Sequence, residues 1–232
     1  MHPKIKADII GLAKADPDRE ICGFIYVDPQ NEAAILPCAN IAANPAEEFL
    51  ISDEDHMRAM GYQRILGIYH SHPNSPGFSP EDLGCAEAMG VPFYLYCVKT
   101  ETWQTYLPDS YDPPLTGRQF VVGFDDCYEL VRLYFRKKGH YMNDYDRDRT
   151  LNLKDLILDR FEDEGFTQIP VNQATYGDVF MFKSDRVLSN HFGILTAPSR
   201  MIHHPIGGLS CEEMVTDRWL SRLTHVFRLK PR

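Results

Sequence analysis

Hydrophobic positions recur along the first half of the chain with two periods, and each change of period marks a predicted element. Apolar residues at helical spacing from Ile5 to Leu12 predict an amphipathic helix over residues 3–15. Apolar runs bounded by turn residues predict strands over residues 21–27, 33–42, 49–51, 64–73, 91–98 and 101–107. Two further helices, each starting beside a serine suited to capping, are predicted over residues 53–61 and 79–88.

A stretch rich in proline and turn residues, 108–117, interrupts both periods. Beyond it, apolar residues on one helical stripe predict a helix over 127–138. The pattern then predicts a helix over 153–161 and strands over 179–182, 191–197 and 200–205. We therefore expect an α+β fold of two domains, residues 1–107 and 118–232, joined by a linker at 108–117.

Composition narrows the classes of function. The 232 residues are 44% hydrophobic and 25% charged, which is typical of a soluble globular protein. A net charge of -9 argues against a nucleic-acid partner. We also expect no secretory signal and no membrane-spanning segment. The six cysteines occur singly, without a CxxC pair, which favours reduced thiols over disulfides or a thiolate zinc site.

The segment HSHPNSPGFSPED carries the first candidate chemistry. Because side chains alternate along a strand, His70 and His72 face the same way, and Asp82 follows ten residues later. These three supply the protein ligands of a catalytic zinc ion, and Glu20 could transfer the proton while Ser79 donates to an oxyanion. The alternative is that Ser79 and Asp82 serve only as a helix cap.

The motifs EICGF, HSHP and SPED resemble those of the JAMM/MPN family of zinc metallopeptidases over residues 1–107. The resemblance implies an α/β sandwich in which His70, His72 and Asp82 bind Zn²⁺. It also implies that Glu20 is the general acid and base and that Ser79 is the oxyanion donor. The loop of six residues between His72 and Ser79 is one residue shorter than the family pattern.

Cys127 carries the second candidate chemistry, because it lies where the apolar segment FVVGF turns into a predicted helix. A helix N-terminus favours a thiolate, and a nearby histidine would complete a nucleophilic pair. His191 and His203 lie on neighbouring predicted strands, so that one could act as base while the other orients its ring. The alternative is a buried structural cysteine with two surface histidines.

The strings DDCYELVRLYF, GDVFMF, NHFGIL and RMIHH resemble the NlpC-type papain-like cysteine peptidases over residues 118–232. The resemblance implies a papain-like α+β domain that cuts peptide bonds in peptidoglycan stems. It implies Cys127 as the nucleophile, His191 as the base and His203 as the residue that orients it, with His204 as the competing choice. Phe120 stands where many members have a tyrosine, which leaves backbone amides at Cys127 to stabilise an oxyanion.

The two domains in this order resemble the tail tip proteins of lambda-like tailed bacteriophages. That resemblance implies synthesis in the host cytoplasm, a place in the virion tail tip, other tail tip proteins as partners and peptidoglycan as a substrate. Two alternatives stay open. The chain could be a structural assembly subunit with one or both sites vestigial, or a metal-dependent regulatory peptidase that acts on host proteins.

Overall fold

A computed structural model describes residues 1–148, 160–183 and 190–231. The chain divides into two compact units, His2–Pro113 and Pro114–Arg232, the second of which includes Met1. Each unit combines helices with one sheet, which confirms the predicted α+β fold class.

The N-terminal unit contains three helices and five strands. They are α1 Pro3–Ala15, β1 Cys22–Val27, β2 Ala33–Cys38, α2 Asp53–Met60, β3 Ile65–His72, α3 Pro80–Met89, β4 Phe93–Cys97 and β5 Thr102–Tyr106. Serine caps begin α2 and α3, and Gly90 ends α3 with a φ of 64°, a left-handed conformation that glycine adopts without strain.

The N-terminal sheet has the order β2-β1-β3-β4-β5, and only β3 and β4 run parallel. Phe24, Ile68 and Phe93 of the sheet pack with Ala59 of α2 and Ala86 of α3 in one apolar cluster. This packing places the start of α3 near the end of β3. Because β1 pairs directly with β3, residues that precede β1 also lie near that end.

The predicted strand over 49–51 is wrong, since these residues form a loop. The side chain of Asn40 makes hydrogen bonds that strand pairing would otherwise supply. Its Oδ1 accepts from the backbone amide of Leu50 at 3.1 Å. Its Nδ2 donates to the backbone oxygens of Glu20 and Glu48, both at 2.9 Å. A side chain that bonds the local backbone in this way competes with strand pairing.

The C-terminal unit contains two α-helices that lie wholly within the described residues, a helical segment at 160–163, a short 3₁₀ turn at Val171–Gln173 and six strands. These are α4 Cys127–Arg136, β6 Phe166–Ile169, β7 Val179–Lys183, β8 Asn190–Ala197, β9 Arg200–His203, β10 Cys211–Met214, α5 Asp217–Leu220 and β11 Leu223–Leu229. The sheet is antiparallel throughout, with the order β10-β9-β8-β7-β11-β6.

The two faces of this sheet bury different residues because side chains alternate along each strand. Phe192 and Ile194 of β8 join the core that contains Cys127 and Leu130 of α4. Leu195 lies on the other face, in a cluster with Phe180 and Phe182 against which Trp219 packs. The register that pairs Phe182 with His191 puts His191 on this second face.

Several predictions for this unit need correction. The strands β6, β10 and β11 and the helix α5 were not predicted. β6, β10 and α5 have only four residues each, whereas β11 has seven and an apolar run that was overlooked. The strand-like FVVGF segment makes only an isolated bridge, between Val121 and Asp125. The predicted helix over 153–161 lies almost entirely outside the described residues.

Candidate active sites

The first site forms where β3 ends and α3 begins. His70 and His72 project from one face of β3, and Asp82 lies in the first turn of α3. The Nε2 atoms of His70 and His72 lie 3.4 and 3.3 Å from the two carboxylate oxygens of Asp82. All three side chains are buried. The structure therefore brings together the three residues that the sequence indicated as ligands.

A capping box aims the Asp82 carboxylate. The backbone amide of Ser79 donates to Oδ2 of Asp82 at 2.8 Å, and the amide of Asp82 donates to Oγ of Ser79 at 3.0 Å. Asp82 therefore does take part in a helix cap, as the alternative interpretation expected. This role is compatible with metal binding, since the same carboxylate also reaches both histidines. The Ser79 hydroxyl already accepts this bond, and its proton is left to donate elsewhere.

Glu20 lies two residues before β1, at the end of β3 that carries the histidines, because Cys22 pairs with His70. Its Oε1 is 3.4 Å from Nε2 of His72, and only 4% of the residue is exposed. Burial raises the pKa of Glu20 to about 7, against the opposing effect of His72. A carboxyl group with that pKa can both accept and release a proton near neutral pH.

The other three groups have pKa shifts of different origin. Burial lowers the pKa of His70, against the effect of Asp82. For His72, burial also favours the neutral ring, but Asp82 and Glu20 outweigh it and the pKa is raised. The pKa of Asp82 falls well below its usual range despite burial, because both imidazoles and the amide of Ser79 stabilise the carboxylate. The site thus concentrates negative charge between two imidazoles.

The geometry of these donors fits a zinc ion. Ligands about 2.0–2.1 Å from a tetrahedral ion lie about 3.4 Å from each other, close to the separations observed here. Both ring nitrogens of His70 are buried, and within the described part of the chain neither makes a hydrogen bond of good geometry. A metal ion is the partner that would satisfy such a nitrogen. His70, His72 and Asp82 are the residues that could hold it.

Sequence reasoning missed the loop that covers this site. The ring of Phe49 stacks on that of His70 with centroids 4.7 Å apart, and Asn40 anchors the backbone of Glu20. A cavity of about 570 Å³ opens beside Ser79 and Asp82, and carboxylates of Glu47, Glu48 and Glu81 also line it. Its wall therefore combines these acidic residues with apolar ones such as Leu50 and Met89.

The second site begins at the N-terminus of α4. Cys127 is the first residue of this helix, and its thiol lies beside the backbone amide of Phe192, the residue after His191. Burial, followed by the charge of Asp126, raises the pKa of the Cys127 thiol to about 12. The thiolate expected from a helix N-terminus is therefore not favoured here, because desolvation outweighs the helix dipole.

Asp126 acts as the N-cap of α4. Its carboxylate accepts from the backbone amides of Glu129 and Gly123, both at 2.9 Å, and from Nε of Arg147 at 2.7 Å. Burial opposes ionisation, but Arg147 and these amides lower the pKa of Asp126. The fixed negative charge next to Cys127 is thus a structural feature of the helix start.

His191 and His203 form the other part of the site. Nε2 of His191 is hydrogen-bonded to Nδ1 of His203 at 2.8 Å, and the two rings are nearly perpendicular. Trp219 of α5 stacks on His191 with centroids 5.5 Å apart. Burial, followed by the neighbouring histidines, lowers the pKa of His191 to about 3. Burial also lowers the pKa of His203.

The structure brings His203, rather than His204, to His191. The ring of His204 is buried edge-on against Phe120, with centroids 5.2 Å apart. Among the described residues, no hydrogen bond joins the Cys127 thiol to the His191 ring. Cysteine and histidine thus both rest in their neutral forms. No pattern in the sequence indicated Trp219.

Comparisons with known proteins assign a different family model to each of the two parts of the chain. The family model described as prokaryotic homologs of the JAB domain matches residues 2–107, and that of the NlpC/P60 family matches residues 116–228. The tail tip assembly protein K of Escherichia phage lambda is 32% identical over 181 residues, which are 77% of this chain and 88% of that protein. This chain belongs to the tail tip assembly protein K family.

A second K protein, from Escherichia phage N15, is 29% identical over 236 residues, which are 99% of this chain and 96% of that protein. In this member of the K family, the residues of the first site fall within the JAB match and those of the second within the NlpC/P60 match.

Likenesses to solved structures are more distant. An NlpC/P60 family protein from Bacillus cereus has a TM-score of 0.34 and 13% identity, with 94% of this chain and 66% of that chain covered. A protein from Desulfitobacterium hafniense has a TM-score of 0.37 and 21% identity, with 45% and 78% covered. Within the described ranges of the K family chain, no helix combines the length and the apolar character needed to cross a membrane.

Proposed function

We propose that this K family protein is a two-site hydrolase of the phage tail tip. In this proposal, Cys127, His191 and His203 cut peptide bonds in cell-wall peptidoglycan, and a zinc site in the other domain cuts peptide or isopeptide bonds. The domains are residues 1–107 and 118–232, with 108–117 as the linker. The supporting observation is the 2.8 Å hydrogen bond between Nε2 of His191 and Nδ1 of His203, because it leaves the other nitrogen of His191 to serve as base.

In the zinc domain, His70, His72 and Asp82 would hold the metal. A zinc ion held there supplies a Lewis acid that activates water near neutral pH. Glu20 accepts a proton and passes it to the leaving amine, a role that its pKa of about 7 suits. The carboxylates of Glu47, Glu48 and Glu81 in the cavity wall favour a substrate that carries an amino group.

In the cysteine domain, attack on a carbonyl needs the Cys127 proton to move to His191 during the reaction. A neutral pair can do this if the substrate brings the thiol and the ring together, as catalytic hydrogen bonds often tighten only in the complex. His203 holds the ring of His191 through Nδ1, and Trp219 packs on its face. The backbone amide of Cys127 at the start of α4 is the oxyanion donor, since Phe120 has no hydroxyl.

The names of the two relatives support a place in the tail tip and partners among tail proteins. We propose that the protein is made in the host cytoplasm, joins other tail tip proteins and acts on peptidoglycan from the virion tail tip. A second candidate function is that of a structural assembly subunit with one or both sites vestigial. The raised pKa of Cys127 and its lack of a hydrogen bond to His191 among the described residues favour that candidate.

Cell-wall cleavage by the purified full chain separates the two functions. The wild-type protein should release stem-peptide fragments, and Cys127→Ala should lower the rate by about a thousandfold or more. Cys85→Ala, which alters an exposed cysteine of the other unit, should not. Bound zinc should fall by about one ion per chain in His70→Ala and stay unchanged in His56→Ala.

Cleavage that survives Cys127→Ala would exclude the cysteine site. If the wild-type protein releases no fragments, and phage that carry both Cys127→Ala and His70→Ala assemble infectious tails, the structural subunit is the correct function.

A further inference from the structure

The side of His203 that faces away from His191 meets two more side chains of the same sheet. Cys211 is the direct partner of His203 across β9 and β10, and Glu213 lies two residues further along β10. All three therefore project from one face. Nε2 of His203 is 3.6 Å from Sγ of Cys211 and 3.4 Å from Oε2 of Glu213.

These separations match those around a tetrahedral zinc ion. Bonds of about 2.0–2.1 Å to nitrogen and oxygen and about 2.3 Å to sulfur separate nitrogen from oxygen by about 3.4 Å and nitrogen from sulfur by about 3.6 Å. The three donor atoms all lie within 4.8 Å of one another. A thiolate, an imidazole and a carboxylate are together a donor set that suits Zn²⁺.

Outer contacts orient two of the three donors. Trp219 Nε1 donates to Oε1 of Glu213, which leaves Oε2 facing His203. The other nitrogen of His203 is bonded to His191. Metal-binding imidazoles and carboxylates usually have such outer partners. Cys211 and Glu213 are partly exposed, so that an ion can reach them from solvent.

We propose that His203, Cys211 and Glu213 form a second zinc site, separate from that of His70, and that zinc bound there switches off Cys127. The binding part of this inference is independent of the proposed function. The inhibitory part rests on it, since it requires Cys127 to be a nucleophile.

Without metal, the tautomers suit catalysis. The Glu213 carboxylate, 3.4 Å from Nε2 of His203, favours the tautomer of neutral His203 that has its proton on Nε2. In that tautomer Nδ1 of His203 accepts the Nε2 proton of His191. Nδ1 of neutral His191 then has a free electron pair, which can take the proton of Cys127.

Zinc reverses these tautomers. The thiol proton of Cys211 leaves to solvent, and the sulfur and Nε2 of His203 each give an electron pair to the ion. The proton of neutral His203 must then sit on Nδ1, where it is donated to Nε2 of His191. The proton of His191 moves to its Nδ1, so that His191 has no electron pair for Cys127. Both rings stay neutral, with one proton each.

Binding is tested with Co²⁺ on the full chain, because a thiolate ligand gives a near-ultraviolet charge-transfer band that the His70 site, which has no sulfur, does not give. The band should appear in the wild type, in Asp82→Asn and in Cys85→Ser, and should vanish in Cys211→Ser. Glu213→Gln should weaken Co²⁺ binding by about tenfold or more. A wild-type protein without the band, or a band that persists in Cys211→Ser, would overturn the proposal.

Inhibition is tested by stem-peptide release with and without added Zn²⁺. Added zinc should slow stem-peptide release by the wild type and by Asp82→Asn about tenfold or more. The rate of release by Cys211→Ser should be nearly the same with and without zinc. Equal inhibition of Cys211→Ser would overturn the switch. If no form cleaves cell walls, the proposed function fails, but the Co²⁺ band still decides whether the site exists.

Discussion

Both candidate sites are built at the N-terminus of a helix, yet the two helix starts use their acidic residue in opposite ways. At the start of α3, the capping box turns the Asp82 carboxylate towards His70 and His72. At the start of α4, the carboxylate of Asp126 bonds Arg147 and backbone amides. The first arrangement offers a negative charge to a ligand, whereas the second uses it within the protein.

The electrostatic consequences differ accordingly. The first site holds an ionised Asp82 and a Glu20 whose pKa is about 7, so that it attracts a cation and can move a proton. In the second site, the pKa of Cys127 is raised to about 12 and that of His191 is lowered to about 3, so that both rest neutral. A helix N-terminus alone therefore does not determine the charge of the residue placed there.

The largest expected effect is on proton transfer in the first site. Glu20→Gln should keep zinc bound, because Glu20 is not among the three ligands, but should slow hydrolysis of a lysine isopeptide by about 100- to 10,000-fold. Zinc content and turnover are measured on the same preparation, with Glu48→Gln as the control at the cavity wall. If Glu20→Gln turns over normally, Glu20 does not transfer the proton, and the proposed electrostatic difference between the two sites is wrong.

The next effect is on stability at the second site. Asp126→Asn removes the carboxylate that contacts Nε of the buried Arg147 at 2.7 Å, while the carboxylates of Asp144 at 2.6 Å and Glu129 at 3.7 Å remain. The loss of this charged hydrogen bond should cost about 1.5–3 kcal/mol of unfolding free energy. Denaturant unfolding of the full chain measures this cost. Asp163→Asn, which alters an exposed carboxylate of the same unit, should change stability by less than about 0.5 kcal/mol.

The contribution of Asp126 to the free energy of unfolding should depend on pH in a definite direction. Because the folded state lowers the pKa of Asp126, its contribution is fully present above the pKa of the unfolded chain, about 3.9. It should be lost as pH falls from there towards the folded pKa. Acid unfolding of Asp126→Asn should therefore depend less on pH than that of the wild type, and equal slopes would contradict the assignment.

The smallest effect separates capping from site geometry. Ser79→Ala and Ser52→Ala each remove a serine cap and should each cost about 1 kcal/mol. Only Ser79→Ala should also weaken zinc binding, by about tenfold, because only the Ser79 cap positions a proposed ligand. If both variants bind zinc as the wild type does, the Ser79 hydroxyl does not position the Asp82 ligand.

Local patterns determined much of the fold and the identities of the candidate residues. Period two put His70 and His72 on one face, and the Ser79 motif predicted both the start of α3 and the place of Asp82. The helix that begins at Cys127 was also predicted. These features depend on backbone geometry and capping, which neighbouring residues decide.

The tertiary structure decided what those residues can do. Strand pairing brings Glu20 within 3.4 Å of His72, and burial, which no local pattern encodes, sets the pKa values of Glu20 and Cys127. The short polar strand β10 places Cys211 and Glu213 beside His203 only because it pairs with β9. Contacts between distant segments depend on the whole packed chain. The protonation states of Glu20 and Cys127 and the contacts of His203 with β10 therefore follow from the fold and not from the local sequence motifs.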